Sequence, residues 1–231
     1  MNKPIIVDYS FTSPFKGATI AFSHLGKGLK YINKQNIKEV CVVEHEDDTR
    51  HIVDFSFLTN AEFLETFHWL VKLSKKSDID GIYSLVNLKD FRWATDNHFD
   101  IDFSKLTTIE ILNINYRKGL MNLGTLKKLR ELYVQSVKTD NLMFLSDLDS
   151  LEILRVIDGK FTSLEGLEYC QNLKKLDLRN CNSLIHAEAT LQKLTHLESV
   201  SLDSVKNHDI DIKKLQSCIP HVWDSKVRFT K

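Results

Sequence analysis

Residues Leu151-Glu-Ile-Leu154-Arg-Val156 carry the pattern from which the fold is read: one apolar residue, two of any kind, then two apolar residues one position apart. The alternation at 154 and 156 puts both side chains on one face of a strand, and Leu151 closes the approach to it. Working outward, the same spacing returns at Leu173-Lys-Lys-Leu176-Asp-Leu178 and Leu197-Glu-Ser-Val200-Ser-Leu202. On the other side it appears at Leu129-Arg-Glu-Leu132-Tyr-Val134, Ile109-Glu-Ile-Leu112-Asn-Ile114 and Leu88-Lys-Asp-Phe91-Arg-Trp93. Starting from Leu88, successive starts are 21, 20, 22, 22 and 24 residues apart. Leu64-Glu-Thr-Phe67-His-Trp69 extends the series by 24 residues, and Ile37-Lys-Glu-Val40-Cys-Val42 by a further 27. A fixed period of this length marks a stack of units, each burying its apolar side against its neighbours.

A second apolar set follows each strand. Leu142, Leu145 and Leu148 recur three apart, and Leu164, Leu167 and Cys170 repeat them one unit later. The register predicts a short return turn or irregular helical segment packed on the preceding strand. Similar returns are read at Ile79-Ile82-Leu85, Ile101-Phe103-Leu106, Leu120-Leu123-Leu126, Leu184-Leu191-Leu194 and Ile210-Ile212-Leu215.

Composition narrows the class. The chain has 231 residues, 42% hydrophobic and 27% charged, with 31 basic against 31 acidic residues. No global basic field draws it to nucleic acid or anionic lipid. The opening MNKPIIVDYSFTSPFKG lacks a secretory apolar core, no later run is long enough for a membrane span, and a cytoplasmic address is expected. Cys41, Cys170, Cys181 and Cys218 form no CxxC pair and are expected as reduced thiols.

These units resemble the leucine-rich repeat family, in short bacterial-type repeats of about 20 to 24 residues. Leu173-Lys-Lys-Leu-Asp-Leu-Arg-Asn-Cys181 is the closest match, with the family's cysteine in the ninth slot. That slot otherwise holds Lys72, Asp96, Arg117, Val137, Gly159 and Val205, so a continuous asparagine ladder is absent. The resemblance implies an α/β solenoid: a curved right-handed stack with a parallel sheet on the concave face and short helical returns. It also implies use as a holder of another macromolecule rather than as an enzyme. Seven or eight strands at about 4.8 Å spacing make a surface roughly 30 to 35 Å long, a size that suits a protein better than a metabolite.

Both ends of a solenoid need covering. Residues 1–36 are expected as a divergent N-terminal cap, with a strand-like Ile5-Ile6-Val7 and Phe22, Leu25, Leu29 and Ile32 at helical spacing despite Gly26 and Gly28. The repeats occupy 37–217, clearest over 64–217, and 218–231 form a C-terminal cap or final degenerate strand, with Pro220 near its edge.

The third, fifth and seventh positions of each unit are expected on the open face. The third column is Thr66, Asp90, Ile111, Glu131, Ile153, Lys175 and Ser199; the fifth is His68, Arg92, Asn113, Tyr133, Arg155, Asp177 and Ser201. The seventh is Leu70, Ala94, Asn115, Gln135, Ile157, Arg179 and Asp203. This alignment sets Arg155 beside Asp177 and Arg179 beside Asp203. Two readings follow: surface ion pairs, or a polar cluster beside exposed Ile111, Tyr133, Ile153 and Ile157, with Tyr116 extending the patch. The candidate partner-binding set is Arg92, Ile111, Asn113, Tyr133, Ile153, Arg155, Ile157, Asp177, Arg179 and Asp203. Trp69 and Trp93 fill apolar slots and are expected in the core, whereas Trp223 is open between outward and sealed placements.

Catalytic and metal motifs are missing from the sequence. The nine histidines form no HExxH, there is no GxSxG, and Gly26-Lys27-Gly28 is not a phosphate loop. Glu44 to His51 is the richest in ligand-type side chains but reads first as a solvated turn. Cys41 is the thiol expected to react, Cys170 and Cys181 as structural. The expectation is a non-enzymatic protein-protein interaction module without cofactor, metal or small-molecule substrate. Its sharper form is a cytoplasmic inhibitor or immunity protein for a toxin, with an adaptor or assembly factor as the alternative and a nucleic-acid-binding repeat protein behind them.

Overall fold

A computed structural model describes residues 15–44, 49–95, 99–116 and 120–225. The chain divides into two compact units, Met1–Phe99 and Asp100–Lys231. Expected Ile5-Ile6-Val7 lies outside the described residues.

The first unit contains β1 (Ala18–Ala21), α1 (Leu25–Gln35), β2 (Glu39–Val43), β3 (Thr66–Trp69) and β4 (Asp90–Trp93). The strands pair in parallel and in chain order, with Val40, Phe67 and Phe91 aligned in one row and Val42, Trp69 and Trp93 in the next. Strand β1 is an element the repeat pattern did not reveal, because its segment lacks the apolar triplet. Helix α1 forms through Gly26 and Gly28 and ends on Asn36, whose left-handed φ of 51° lets its N–H bond back to the Ile32 and Asn33 carbonyls. Ile32 is its buried anchor.

Aromatic rings fill the space between strand and return in this unit. Phe55, on the 3-10 turn Phe55–Asn60, has its ring 4.6 Å from Trp69 and 5.4 Å from Trp93. Trp69 is completely buried and donates its indole N–H to the Val71 carbonyl at 2.9 Å, which satisfies the only polar atom of that side chain. Both tryptophans therefore occupy the core positions expected of them.

The second unit contains β5 (Ile111–Asn115), β6 (Glu131–Gln135), β7 (Ile153–Ile157), β8 (Lys175–Arg179), α2 (Glu188–Leu191), β9 (Ser199–Asp203), α3 (Ile212–Cys218) and β10 (His221–Asp224). All six strands are parallel and again in chain order. Leu112, Leu132, Leu154, Leu176 and Val200 form one buried row, and Ile114, Val134, Val156, Leu178 and Leu202 the next. The returns are 3-10 turns at Phe103–Lys105, Leu123–Thr125, Met143–Leu145 and Leu167–Tyr169, and then α2 and α3. Leu142, Leu145, Leu148, Leu164, Leu167 and Cys170 are buried as their spacing predicts, whereas Leu120 and Ile212 remain half-exposed.

One backbone device turns each strand into its return. Ser136, Asp158, Asn180 and Ser204 follow β6, β7, β8 and β9 directly, and all four have φ between 54° and 57°. Their left-handed geometry swings the chain off the sheet, and the next residue, Val137, Gly159, Cys181 or Val205, points into the core. This is the ninth slot, and it is apolar here because local packing replaces an asparagine ladder. At Gly159 a Cβ would lie 2.3 Å from the Phe161 ring and 2.9 Å from Cys181 Sγ, so the phenyl ring takes the space a side chain would need. Parallel strand, left-handed exit and 3-10 return, repeated every 20 to 24 residues, make this a leucine-rich repeat fold.

Candidate functional site

Because successive side chains on a strand alternate, the apolar rows at the fourth and sixth positions leave the third, fifth and seventh on the other face. Burial on β5, β7 and β9 alternates accordingly, with Ile111, Asn113, Asn115, Ile153, Arg155, Ile157, Ser199, Ser201 and Asp203 all half-buried. The second unit holds nine of the ten candidate residues. Arg92 belongs to the first, on β4 opposite His68.

In the second unit the face is organised by one carboxylate. Arg155 Nε donates to Asp177 Oδ2 at 2.7 Å, and Arg179 donates to the same carboxylate from Nη2 at 3.1 Å and Nε at 3.2 Å. The expected pair of Arg155 with Asp177 is present, but Arg179 turns back along its own strand instead of meeting Asp203. Two residues apart on a strand, Asp177 and Arg179 share the face, which brings the Arg179 guanidinium within reach of the Asp177 carboxylate. Asp203 is its register neighbour and takes a 3.2 Å hydrogen bond from the Ser204 hydroxyl. Contact with Asp177 holds Arg179 further toward its charged form.

Tyr133 departs from its expected role as an exposed anchor. It is only 8% exposed: its hydroxyl donates to Glu131 Oε2 at 2.8 Å, and the Arg155 guanidinium sits 5.4 Å from its ring centroid. The ring is therefore a platform that orients Arg155. Tyr116 packs against Phe144 at 4.8 Å, and burial raises its phenol pKa. The aliphatic part of the face consists of Ile111, Ile153 and Ile157.

In the first unit the equivalent face is covered at Cys41 on β2 and along β3, whereas Asp90 and Arg92 on β4 stay half-buried. Cys41, Thr66 and His68 occupy open-face columns yet are buried, and Phe15 stacks on His68 with centroids 5.6 Å apart. His68 Nε2 lies 2.9 Å from Asp90 Oδ1. Cys41 is thus not the reactive thiol: burial pushes its pKa up to about 11, while Cys218 is the exposed cysteine. Cys170 and Cys181 are buried, with pKa values raised by desolvation to about 12 and about 11.

Two features escaped sequence reading. The first is Trp223, whose ambiguity the register of β10 resolves: it pairs with Ser201 and so joins the column of Tyr133, Arg155 and Asp177, 43% exposed. Next to it Asp224 turns inward, where His208 Nε2 lies 3.2 Å from its Oδ2. That buried pair ties the last strand to the turn after β9. The second feature is the second slot of the units, which reads Lys38, Glu65, Lys89, Glu110, Arg130, Glu152, Lys174 and Glu198, alternating in sign throughout. In the first unit Glu65 bridges Lys38 at 2.5 Å and Lys89 at 2.7 Å; in the second Arg130 meets Glu110 at 3.4 Å and Lys174 meets Glu152 at 3.0 Å. Side by side on parallel strands, alternating signs favour correct register, each exposed pair contributing about 0 to 1 kcal/mol. The signal was legible once the second slot was read as a column.

Of the metal candidate Glu44 to His51, residues 45–48 lie outside the described residues; His51 Nε2 is 2.8 Å from Glu44 Oε1. Among the described residues no group of three or more His, Cys, Asp or Glu is placed to hold a metal, and no helix is long and apolar enough to cross a membrane.

No known protein family and no curated protein is matched by the sequence. Among solved structures the chain is similar to an internalin, inlF, of Listeria monocytogenes, with 15% identity over 86% of this chain and 76% of that one and a TM-score of 0.40. It is similar to internalin C2 of the same organism, with 18% identity over 71% and 77% of the two chains and a TM-score of 0.46. A third similar structure is the plant peptide hormone receptor RGFR1 in complex with RGF2, at 14% identity over 77% of this chain and 30% of that chain, TM-score 0.43.

Proposed function

We propose that the protein is a non-enzymatic binding module that holds a partner protein on the β5–β9 face of its second unit, and that it works in the cytoplasm as an inhibitor of the immunity-protein kind. The carrying observation is that this face keeps three half-buried isoleucines, Ile111, Ile153 and Ile157, beside a preorganised Arg155–Asp177–Arg179 cluster. Aliphatic residues beside arginines that are already oriented lower the ordering cost of an interface. Charges of both signs interrupt the face, which suits a protein surface better than a phosphate backbone.

The test is capture from native cell extract by tagged wild type and by Ile153→Asp/Ile157→Asp, followed by assay of the captured protein's own activity. Wild type is expected to bind at least about tenfold more tightly, about 1.4 kcal/mol, and to abolish that activity at one-to-one stoichiometry. Equal affinity for both baits overturns the face assignment. Binding without loss of activity replaces the inhibitor by an adaptor or assembly factor, and affinity that falls steeply with salt together with nucleic acid in the captured material replaces it by nucleic-acid recognition.

A further inference from the structure

The face changes character toward its C-terminal end. On β9 it offers only Ser199 and Ser201 before Asp203, two short side chains between longer ones on either side. Ser201 stands in register with Asp177 on β8 and Trp223 on β10, and Ser199 with Lys175 and His221. Two strand spacings separate β8 from β10, so the serines floor a trough roughly 9.6 Å across, the width of one extended chain or one large side chain. The exposed indole of Trp223 stands on one bank. Lys175, Asp177 and Arg179 stand on the other.

The charges on the banks are unequal. Over β7 to β9 the face carries Arg155, Lys175 and Arg179 against Asp177 and Asp203, an excess of one positive charge. Asp177 is taken up by the two guanidiniums, whereas Asp203, at the far end of the face, accepts from the Ser204 hydroxyl and keeps its negative charge. Lys175 is exposed with no ion-pair partner among the described residues, and the Arg179 side chain is 42% exposed. The neighbouring Asp224 is anchored inside by His208, which fixes β10 beside Ser201.

From this juxtaposition we infer that the Ser199–Ser201 trough receives an acidic segment of a protein partner. One aromatic or long aliphatic side chain of that segment lies over Ser201 against Trp223, and its carboxylates engage Lys175 and Arg179. The inference rests on the binding-module reading above and specifies the partner's chemistry: acidic residues interleaved with apolar ones, rather than a basic surface. Stacking on an aromatic wall, the exposed ammonium of Lys175 and the exposed part of the Arg179 guanidinium each act on one part of such a segment.

The experiment uses two fluorescein-labelled pools of short peptides, one in which Asp and Glu alternate with Phe and Leu, the other with Lys in place of the acids. Their binding to the full chain is read by anisotropy and by protection of tryptophan emission from acrylamide; with Trp69 and Trp93 buried, the quenchable emission belongs to Trp223. The acidic pool is expected to bind, to shield Trp223 from acrylamide, and to weaken at least about tenfold in Ser201→Gln, which fills the trough without adding charge, and in Lys175→Glu/Arg179→Glu. Absence of binding by the acidic pool, equal binding of both pools, or unchanged binding in Ser201→Gln overturns the inference. Ile153→Asp separates the two readings: acidic-pool binding that is lost there but kept in Ser201→Gln leaves the face in use and removes the trough.

Discussion

The two units use one repeat and finish it differently. In the first, the interior is aromatic, Phe55, Phe67, Phe91, Trp69 and Trp93, and the open face is buried at Cys41, Thr66 and His68, leaving Asp90 and Arg92 half-buried on β4. In the second, the interior rows are leucine, isoleucine and valine, and the corresponding columns stay half-exposed with a shared carboxylate at their centre. The lesson is that a repeat's period determines which side chains share a face, whereas whether that face is available to a partner depends on what packs upon it. His68 and Arg155 hold the same repeat position, yet Phe15 stacks on one while the other is braced above Tyr133.

Core truncation puts the strongest strain on this contrast. Trp69→Ala, measured by urea or thermal unfolding, is expected to cost about 3 to 5 kcal/mol, because it removes a fully buried indole from the aromatic cluster and takes away the donor to the Val71 carbonyl. Leu154→Ala in the aliphatic unit is expected to cost about 2 to 5 kcal/mol, and a loss under about 1 kcal/mol would show that the register of β7 is wrong. Next comes Gly166→Ala. Glycine there has φ 101°, and a Cβ would come within 2.5 Å of the Met143 backbone, so a loss of about 1 to 3 kcal/mol or more is expected; a neutral result would break the assignment of that return.

Thiol reactivity sharpens the difference in access. With its pKa pushed to about 11 by burial, Cys41 at pH 8 has a thiolate fraction on the order of 0.001, and it is also shielded from reagent. Native protein is therefore expected to release one equivalent of chromophore from Ellman's reagent, from Cys218, and the rest only on unfolding. Rapid modification of Cys41 would mean that the first unit's face opens.

The smallest expected effect concerns the charge column. Lys38 and Lys89 hold Glu65 down to about 2, below its ordinary value of 4.5. A folded-state pKa below the unfolded one adds stability above about pH 4.5, which is lost as pH falls toward 2. Glu65→Gln is expected to flatten that part of the stability profile and to change stability near pH 7 by no more than about 1 kcal/mol. An unchanged acid profile would show that the bridge contributes nothing.

Legibility tracked how far a residue's role is local. The strand triplets and the leucines of the returns could be read because period and polarity are properties of the chain. Strand β1 escaped because Ala18–Ala21 is a strand through its pairing with β2 and not through its own pattern. The ten candidate residues share an open-face register, and that much was readable from spacing. The exposure of Tyr133, the partner of Arg179 and the direction of Trp223 were not, since each depends on a neighbour about twenty residues away in sequence or on competition between acceptors.

Spacing and polarity along the chain were thus enough to specify stacked parallel strands, short turn-like or irregular helical returns, an apolar interior and the membership of each face column. The folded structure settled which columns are covered, which guanidinium takes Asp177, and where the last indole points. The physical reason is that hydrophobic burial sums over a repeating local pattern, whereas exposure and hydrogen-bond choice are decided pairwise, between groups that only the folded stack brings within reach.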